Sequence, residues 1–194
     1  MPPATLSHPQ TIFVTNLFDM PHYVRELAPV RVISIIQPEF QPDRPASLAA
    51  THHLRLGVHD ISERLPDQIL ADHADIERLI AFLQDWDPGE GALLTHCYAG
   101  VSRSTATALI AATIKTGDPV GSARRLRTAA PHAQPNRRIV VLADEILGLA
   151  GALIAARDAM GAHQNVAEGP LTVLRLVDAL SSTGSRNPPD DGST

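Results

Sequence analysis

Apolar residues along this chain fall into short runs separated by longer stretches of helical spacing. Residues 11–15 (TIFVT) read as a first strand. Residues 31–36 (RVISII) are β-branched and apolar, the pattern of a buried strand. Residues 53–58 alternate weakly and read as a third strand, and the apolar run at 91–95 as a fourth. Between them lie a short helix at 21–27 and a loop at 37–50 that holds Pro38, Pro42 and Pro45. Leu70, Ile76, Leu79, Ile80, Leu83 and Trp86 recur at helical spacing and predict a helix ending before Pro88-Gly89. A further helix follows Arg103 and should stop at Gly117. Asp118-Pro119 starts the next, with Asp as N-cap and Pro in the first turn. Asn136 caps a long helix reaching about Met160, and Leu171 to Leu180 suggests one more amphipathic helix.

Strands alternating with helices predict a single α/β domain, with a mainly parallel central sheet flanked by helices. The division expected is a tail at 1–10, a domain at 11–160, an extra helix within 161–180 and a disordered tail at 181–194. That last stretch is rich in Gly and Pro (Gly184, Pro188, Pro189, Gly192). No internal repeat is visible.

Composition narrows the function. The 194 residues suit one domain with a real core. Apolar content of 44% and charged content of 19% are ordinary for a soluble protein. A net charge of −5 disfavours a general nucleic-acid partner. Lys115 is the only lysine among many arginines, and alanine is abundant, which suggests a bacterial, GC-rich coding sequence. With one cysteine no intrachain disulfide can form, which fits a reducing cytoplasm. The N-terminus shows no basic region followed by an apolar core, so no secretory signal is expected. The longest near-apolar run, 146–156, is too short to span a bilayer, so no membrane partner is expected. The nine histidines show no His-x3-His spacing, and no metal or cofactor is expected.

The lone cysteine carries the chemistry. Cys97 stands where the fourth strand should turn into a helix, in the stretch HCYAGVSRST at 96–105. A thiol there meets unpaired backbone N–H groups and the positive end of the helix dipole, which favour the thiolate. The same N–H groups can hold a phosphate. Asp60 also follows a strand, so both residues can reach the carboxyl edge of the sheet, where such folds bind ligands.

His96-Cys97-x-x-Gly100-x-x-Arg103-Ser104 resembles the phosphate-binding loop of the cysteine-based protein tyrosine phosphatases, above all the compact dual-specificity branch and its small bacterial relatives. Asp60, a few tens of residues before the cysteine, resembles the general acid of that family. Pro135-Asn136 resembles a Pro-Asn element of the dual-specificity branch. The likeness covers about residues 10–160 and places the phosphate-binding loop between a strand and a helix. The Trp-Pro-Asp form of the larger enzymes is absent.

The resemblance implies roles. Cys97 is the nucleophile and forms a phosphocysteine. Arg103 grips two phosphate oxygens. Gly100 allows the tight turn, while Tyr98, Ala99, Val101 and Ser102 contribute mainly backbone N–H groups. Ser104 points its hydroxyl at the sulfur or else caps the helix. His96 buttresses the loop. Asp60 is the general acid, with Asp67 as the alternative. Arg124, Arg125, Arg127, Arg137 and Arg138 either attract an anionic substrate or form a solvated face. The expected partner is a phosphorylated protein or a small phosphomonoester. Other readings are a phosphoinositide or nucleotide phosphatase and a non-catalytic phosphate-binding pseudophosphatase. The loop has no lysine, which disfavours polyphosphorylated inositols. A rhodanese would not need Asp60, and the low-molecular-weight phosphatases place the motif near the N-terminus.

Overall fold

The structure is a computed structural model and describes residues 8–176. The readings for residues 1–7 and 177–194, including the tail from Ser181, lie outside the described residues. Strands β1 (Thr11–Thr15), β2 (Arg31–Ile35), β3 (His53–Leu56), β4 (Leu93–His96) and β5 (Thr172–Arg175) form one sheet in the order β3-β2-β4-β1-β5. The first four are parallel. The four expected strands are therefore present, β1 with the expected bounds and the other three trimmed or shifted by one or two residues at an end. The helices are α1 (Met20–Leu27), α2 (His73–Asp85), α3 (Arg103–Thr116), α4 (Pro119–Ala129), α5 (Arg137–Ile146) and α6 (Ala152–Asp158).

Both faces of the sheet are covered, which explains why its strands read as continuous apolar runs. Ile12, Val14, Ile33, Ile35 and Leu93 point to the larger core, with Leu79, Leu83, Trp86 and Leu109. Phe13, Val32 and Leu94 point the other way, to a smaller core closed by Met20 and Val24 of α1. Helix α3 runs through the middle and is buried from Arg103 to Thr113. Its alanines at 106, 108, 111 and 112 let neighbouring elements approach closely. Truncating Leu109, fully buried there, would cost roughly 2–5 kcal/mol. Gly117, at φ +67, ends the helix and returns its N–H to the Thr113 carbonyl at 2.8 Å.

The C-terminal third departs from the sequence reading in two places. The long helix expected from Asn136 to Met160 is broken into α5 and α6. Gly148 and Gly151 take left-handed φ values of +65° and +89° between them. The buried Asp144 secures the break: its carboxylate accepts from the N–H groups of Gly151 at 2.7 Å and Leu153 at 2.8 Å. The helix expected within Leu171–Leu180 is instead strand β5 as far as it is described. It pairs antiparallel with β1, and Leu174 faces the core while Val173 is exposed. Thr172-Val173-Leu174-Arg175 alternates in burial with period two, and an unpaired sheet edge beside it supplies the hydrogen bonds. Gln10, read as tail, is tied in by hydrogen bonds to Pro88 and Leu176.

The parallel strands all point their carboxyl ends the same way. Asn16 follows β1, Gln37 follows β2, Asp60 follows β3 and Cys97 follows β4, so one edge of the sheet collects them.

Candidate active site

Residues 97–102 form the turn between β4 and α3. Gly100 takes φ +73°, and a Cβ there would lie 3.0 Å from the Thr15 carbonyl and 3.1 Å from the Asn16 nitrogen, so only glycine fits. The loop's carbonyls are tied outward. Tyr98 O accepts from Leu17 N at 3.0 Å, Ala99 O from Gly169 N at 2.7 Å, Val101 O from Gln134 N at 2.9 Å and Ser102 O from Asn136 N at 3.2 Å. Turning the carbonyls out leaves the N–H groups on the concave side. Among the described residues, none of the N–H groups from Tyr98 to Arg103 donates to a protein acceptor. A cluster of free amides at a helix N-terminus is a cradle for an oxyanion. Gly169 is also constrained: a Cβ would press on Gly100 O and on the His132 ring.

Cys97 lies at the base of this cradle, 1% exposed, with its Sγ 3.1 Å from Ser104 Oγ. The hydroxyl of Ser104 faces the sulfur, and of its two readings the capping one is not realised: the N-cap of α3 is Ser102. Arg103 is 3% exposed. Its Nη1 donates to Gln37 Oε1 and to the Val58 carbonyl, each at 2.8 Å. These anchors fix the guanidinium plane and leave its other edge available. Nε is buried without a hydrogen-bond acceptor, and its nearest anion, Asp60 Oδ2 at 3.7 Å, attracts it without bonding. Gln37 stands in the proline-rich loop and carries no sequence signal that points to this task.

Asp60 is held by two donors. Ser102 Oγ donates to its Oδ1 at 2.7 Å, and Asn136 Nδ2 to the same oxygen at 2.8 Å. Ser102 thus contributes its side chain as well as its backbone. Asn136 has two tasks, since its Oδ1 also accepts from Ile139 N and caps α5. Asp67 lies in the turn at 64–69, in left-handed backbone at φ +58°, and makes no hydrogen bond or ion pair to the loop among the described residues. Beside Asp60 a polar groove of about 420 Å³ runs past Ser62, Gln134, Asn136 and Arg137. The other arginines divide. Arg127 and Arg138 bind backbone carbonyls, and Arg124 and Arg125 lie toward β5, so these side chains do not form one surface around the loop.

Behind the cradle is a buried polar chain that sequence reading found only in part. His96 Nδ1 is 3.4 Å from the Cys97 carbonyl and its Nε2 is 2.6 Å from Ser34 Oγ. Ser34 Oγ is in turn 2.8 Å from His53 Nε2. A carbonyl only accepts, so His96 carries its proton on Nδ1, Ser34 donates to His96 Nε2, and His53 donates to Ser34. Burial lowers the pKa of both imidazoles to about 4; for His53 nearby Arg55 adds to the effect, while for His96 the Cys97 carbonyl opposes it. Both rings are therefore neutral at neutral pH. His96 thus links the Cys97 carbonyl to Ser34. Its partners come from β2 and β3 and are invisible to local sequence.

No protein-family model matches the chain, and no curated protein matches it in sequence. Solved structures match its fold. DUSP15 is 22% identical with a TM-score of 0.54, covering 80% of this chain and 93% of that one. The PTP-2 phosphatase of Cydia pomonella is 21% identical with a TM-score of 0.55, covering 87% and 97%. PTPMT1, solved in complex with PI(5)P, is 15% identical with a TM-score of 0.54, covering 73% and 95%. The fold is that of the compact, dual-specificity-like members of the cysteine-based tyrosine phosphatase superfamily. At these identities the likeness establishes the fold alone.

Proposed function

We propose that this chain is a phosphomonoester hydrolase that works through a phosphocysteine intermediate on phosphorylated residues of proteins. One observation carries the reading: the N–H groups of residues 98–103, in the turn that follows Cys97, have no protein acceptor among the described residues, and Arg103 and Asp60 lie beside that turn. The phosphate fits the amide cradle. The free edge of Arg103 supplies a bidentate grip that strengthens as charge builds on the equatorial oxygens. Cys97 attacks phosphorus, the P–O ester bond breaks, and the leaving oxygen takes a proton from Asp60. Oδ1 of Asp60 is committed to Ser102 and Asn136, so Oδ2 is the oxygen that exchanges the proton. In the second step water attacks phosphorus, Asp60 removes its proton, and the P–S bond breaks. The Ser104 hydroxyl donates to the departing sulfur. Arg103 and the amides neutralise the phosphate, so a metal has no task in this scheme.

Turnover of para-nitrophenyl phosphate and of phosphopeptides by purified protein tests the proposal. In Ser104→Ala the phosphocysteine should accumulate and be visible by intact-mass spectrometry after acid quench. Chelators should leave the rate unchanged. Oxyanion binding without turnover of any phosphomonoester would make the chain a non-catalytic phosphate-binding protein. Dephosphorylation of a phosphoinositide in vesicles at a higher rate than of any phosphopeptide would move the substrate class to lipids.

A further inference from the structure

Three parts of the chain hold the outward-facing carbonyls of the phosphate loop. Leu17 N comes from the turn after β1, and Gln134 N and Asn136 N come from the stretch between α4 and α5. The fourth donor, Gly169 N, comes from the segment between α6 and β5, and its 2.7 Å bond to the Ala99 carbonyl is the shortest of the four. That segment is tied down along its length. Gln164 N donates to the Pro131 carbonyl at 2.9 Å, and Asn16 Nδ2 donates to the Gly169 carbonyl at 3.4 Å. Leu171 packs against the smaller core, and β5 then pairs with β1. Gly169 itself is buried. A Cβ on it would lie 2.6 Å from Nε2 of His132 and 3.0 Å from the Gly100 carbonyl oxygen. The His132 ring is 4% exposed, so a Cβ at 169 has to displace either a packed ring or the backbone of the loop.

We propose that Gly169, far outside the motif at 96–104, is a positioning residue of the phosphate loop: its N–H holds the Ala99–Gly100 peptide in the orientation that aims the Gly100 N–H at a bound oxyanion. This rests on the phosphatase reading above and deepens it. A trans peptide points its C=O and N–H in opposite directions. A donor that holds the Ala99 carbonyl outward therefore directs the Gly100 N–H inward. Of the loop's peptides, this one turns over most easily. A flip changes ψ of the first residue and φ of the second, and glycine accepts both signs of φ. Gly100 stands at φ +73°. Clustered N–H groups without an acceptor also repel one another, so an empty loop gains from turning one carbonyl inward. Such a carbonyl would remove one donor and set a partial negative charge against the phosphate. The bond from Gly169 opposes that flip. Only a residue without a side chain brings its N–H this close, because the Gly100 carbonyl and the His132 ring stand where a Cβ would go.

Tungstate binding to the purified full chain, measured by calorimetry, tests this. Gly169→Pro removes the N–H and should weaken binding by about ten- to hundred-fold, the worth of one hydrogen bond to a charged group. Gly169→Ala keeps the N–H but pushes it away from Ala99, and should weaken binding by less. Gly169→Ala/His132→Ala removes the nearest clash and should recover part of that loss, whereas His132→Ala alone should bind as wild type. In each variant kcat/KM for para-nitrophenyl phosphate should follow the tungstate affinity. Gly161→Ala is the control in the same segment. It strains left-handed backbone at φ +67°, yet its Cβ meets nothing within 4 Å. It should lower the unfolding temperature and leave tungstate affinity at the wild-type value. Wild-type affinity in both Gly169 variants, or equal losses in Gly169→Ala and Gly161→Ala, would overturn the role of Gly169 and leave the phosphatase reading standing. Where Gly169→Pro fails to fold, wild-type affinity in Gly169→Ala overturns it. A wild-type protein that binds no tungstate overturns both readings.

Discussion

Asn136 donates its side-chain amide to Oδ1 of Asp60 at 2.8 Å, although the two residues are 76 positions apart. The other end of the same side chain caps α5. One residue thus joins the start of a helix to the proposed acid. Asn136→Ala should lower the unfolding temperature by about 2–4 °C through loss of the cap, worth about 1 kcal/mol. It should also lower kcat with little change in KM. Asn136→Asp separates the effects, because aspartate caps as well as asparagine but sets a second carboxylate against Asp60. Its unfolding temperature should stay near wild type while kcat falls. If kcat follows the unfolding temperature in both variants, Asn136 serves stability alone.

Cys97→Ser should abolish turnover yet still bind vanadate or tungstate, since the amides of residues 98–103 and Arg103 remain. Arg103→Lys should remove most activity, because an ammonium cannot replace the planar edge that Gln37 and Val58 hold in position. Substantial turnover by Cys97→Ser, measured with para-nitrophenyl phosphate, would exclude the covalent route.

Asp60→Asn should slow turnover by roughly 10²–10⁴-fold. The loss should be larger for alkyl phosphates, whose leaving groups need the proton more. Asp67→Asn should behave as wild type, as its side chain makes no hydrogen bond or ion pair to the loop among the described residues. A series of leaving groups of graded basicity reads this directly: a flat dependence in wild type that steepens only in Asp67→Asn would reverse the assignment.

His53 and His96 give stability a pH dependence of known sign. Their folded-state pKa values are lowered to about 4, whereas in the unfolded chain each takes a proton near 6.5. Between those limits the unfolded state binds more protons, so stability is full above about pH 6.5 and falls as the pH drops toward 4. For the fully buried His96 the loss is about 3 kcal/mol. His53→Gln keeps an N–H for Ser34 but cannot titrate. Its urea midpoint should fall less than that of wild type between pH 7 and 4.5. Parallel curves for the two proteins would show that His53 is protonated in the fold.

The parts of the site readable from sequence are those set by covalent neighbours. Cys97, Gly100, Arg103 and Ser104 lie within one strand–loop–helix turn, where chain geometry alone brings thiol, amides, guanidinium and hydroxyl together. The strands were readable for a related reason: a parallel sheet covered on both faces needs runs such as 31–36, and few other structures do. The break between α5 and α6 was hidden because residues 146–156 are almost continuously apolar, and only the buried Asp144 carboxylate shows why the chain turns there. Strand β5 was hidden because four residues are too few to show a period, and the free edge of β1 decided their conformation.

Composition, the order of β1 to β4 and of α1 to α4, and the loop motif at 96–104 are properties of the sequence by itself. The register of β2, β3 and β4 is a property of the tertiary structure, and it places Ser34 between His53 and His96. The shared carboxyl edge of the strands sets Gln37 against Arg103, and the packing of α5 brings Asn136 to Asp60. These contacts join residues far apart in the chain, whose positions follow from how the sheet and helices bury their apolar faces. Nothing in the local identity of Gln37 or Ser34 marks them, because the burial of other residues is what carries them to the site.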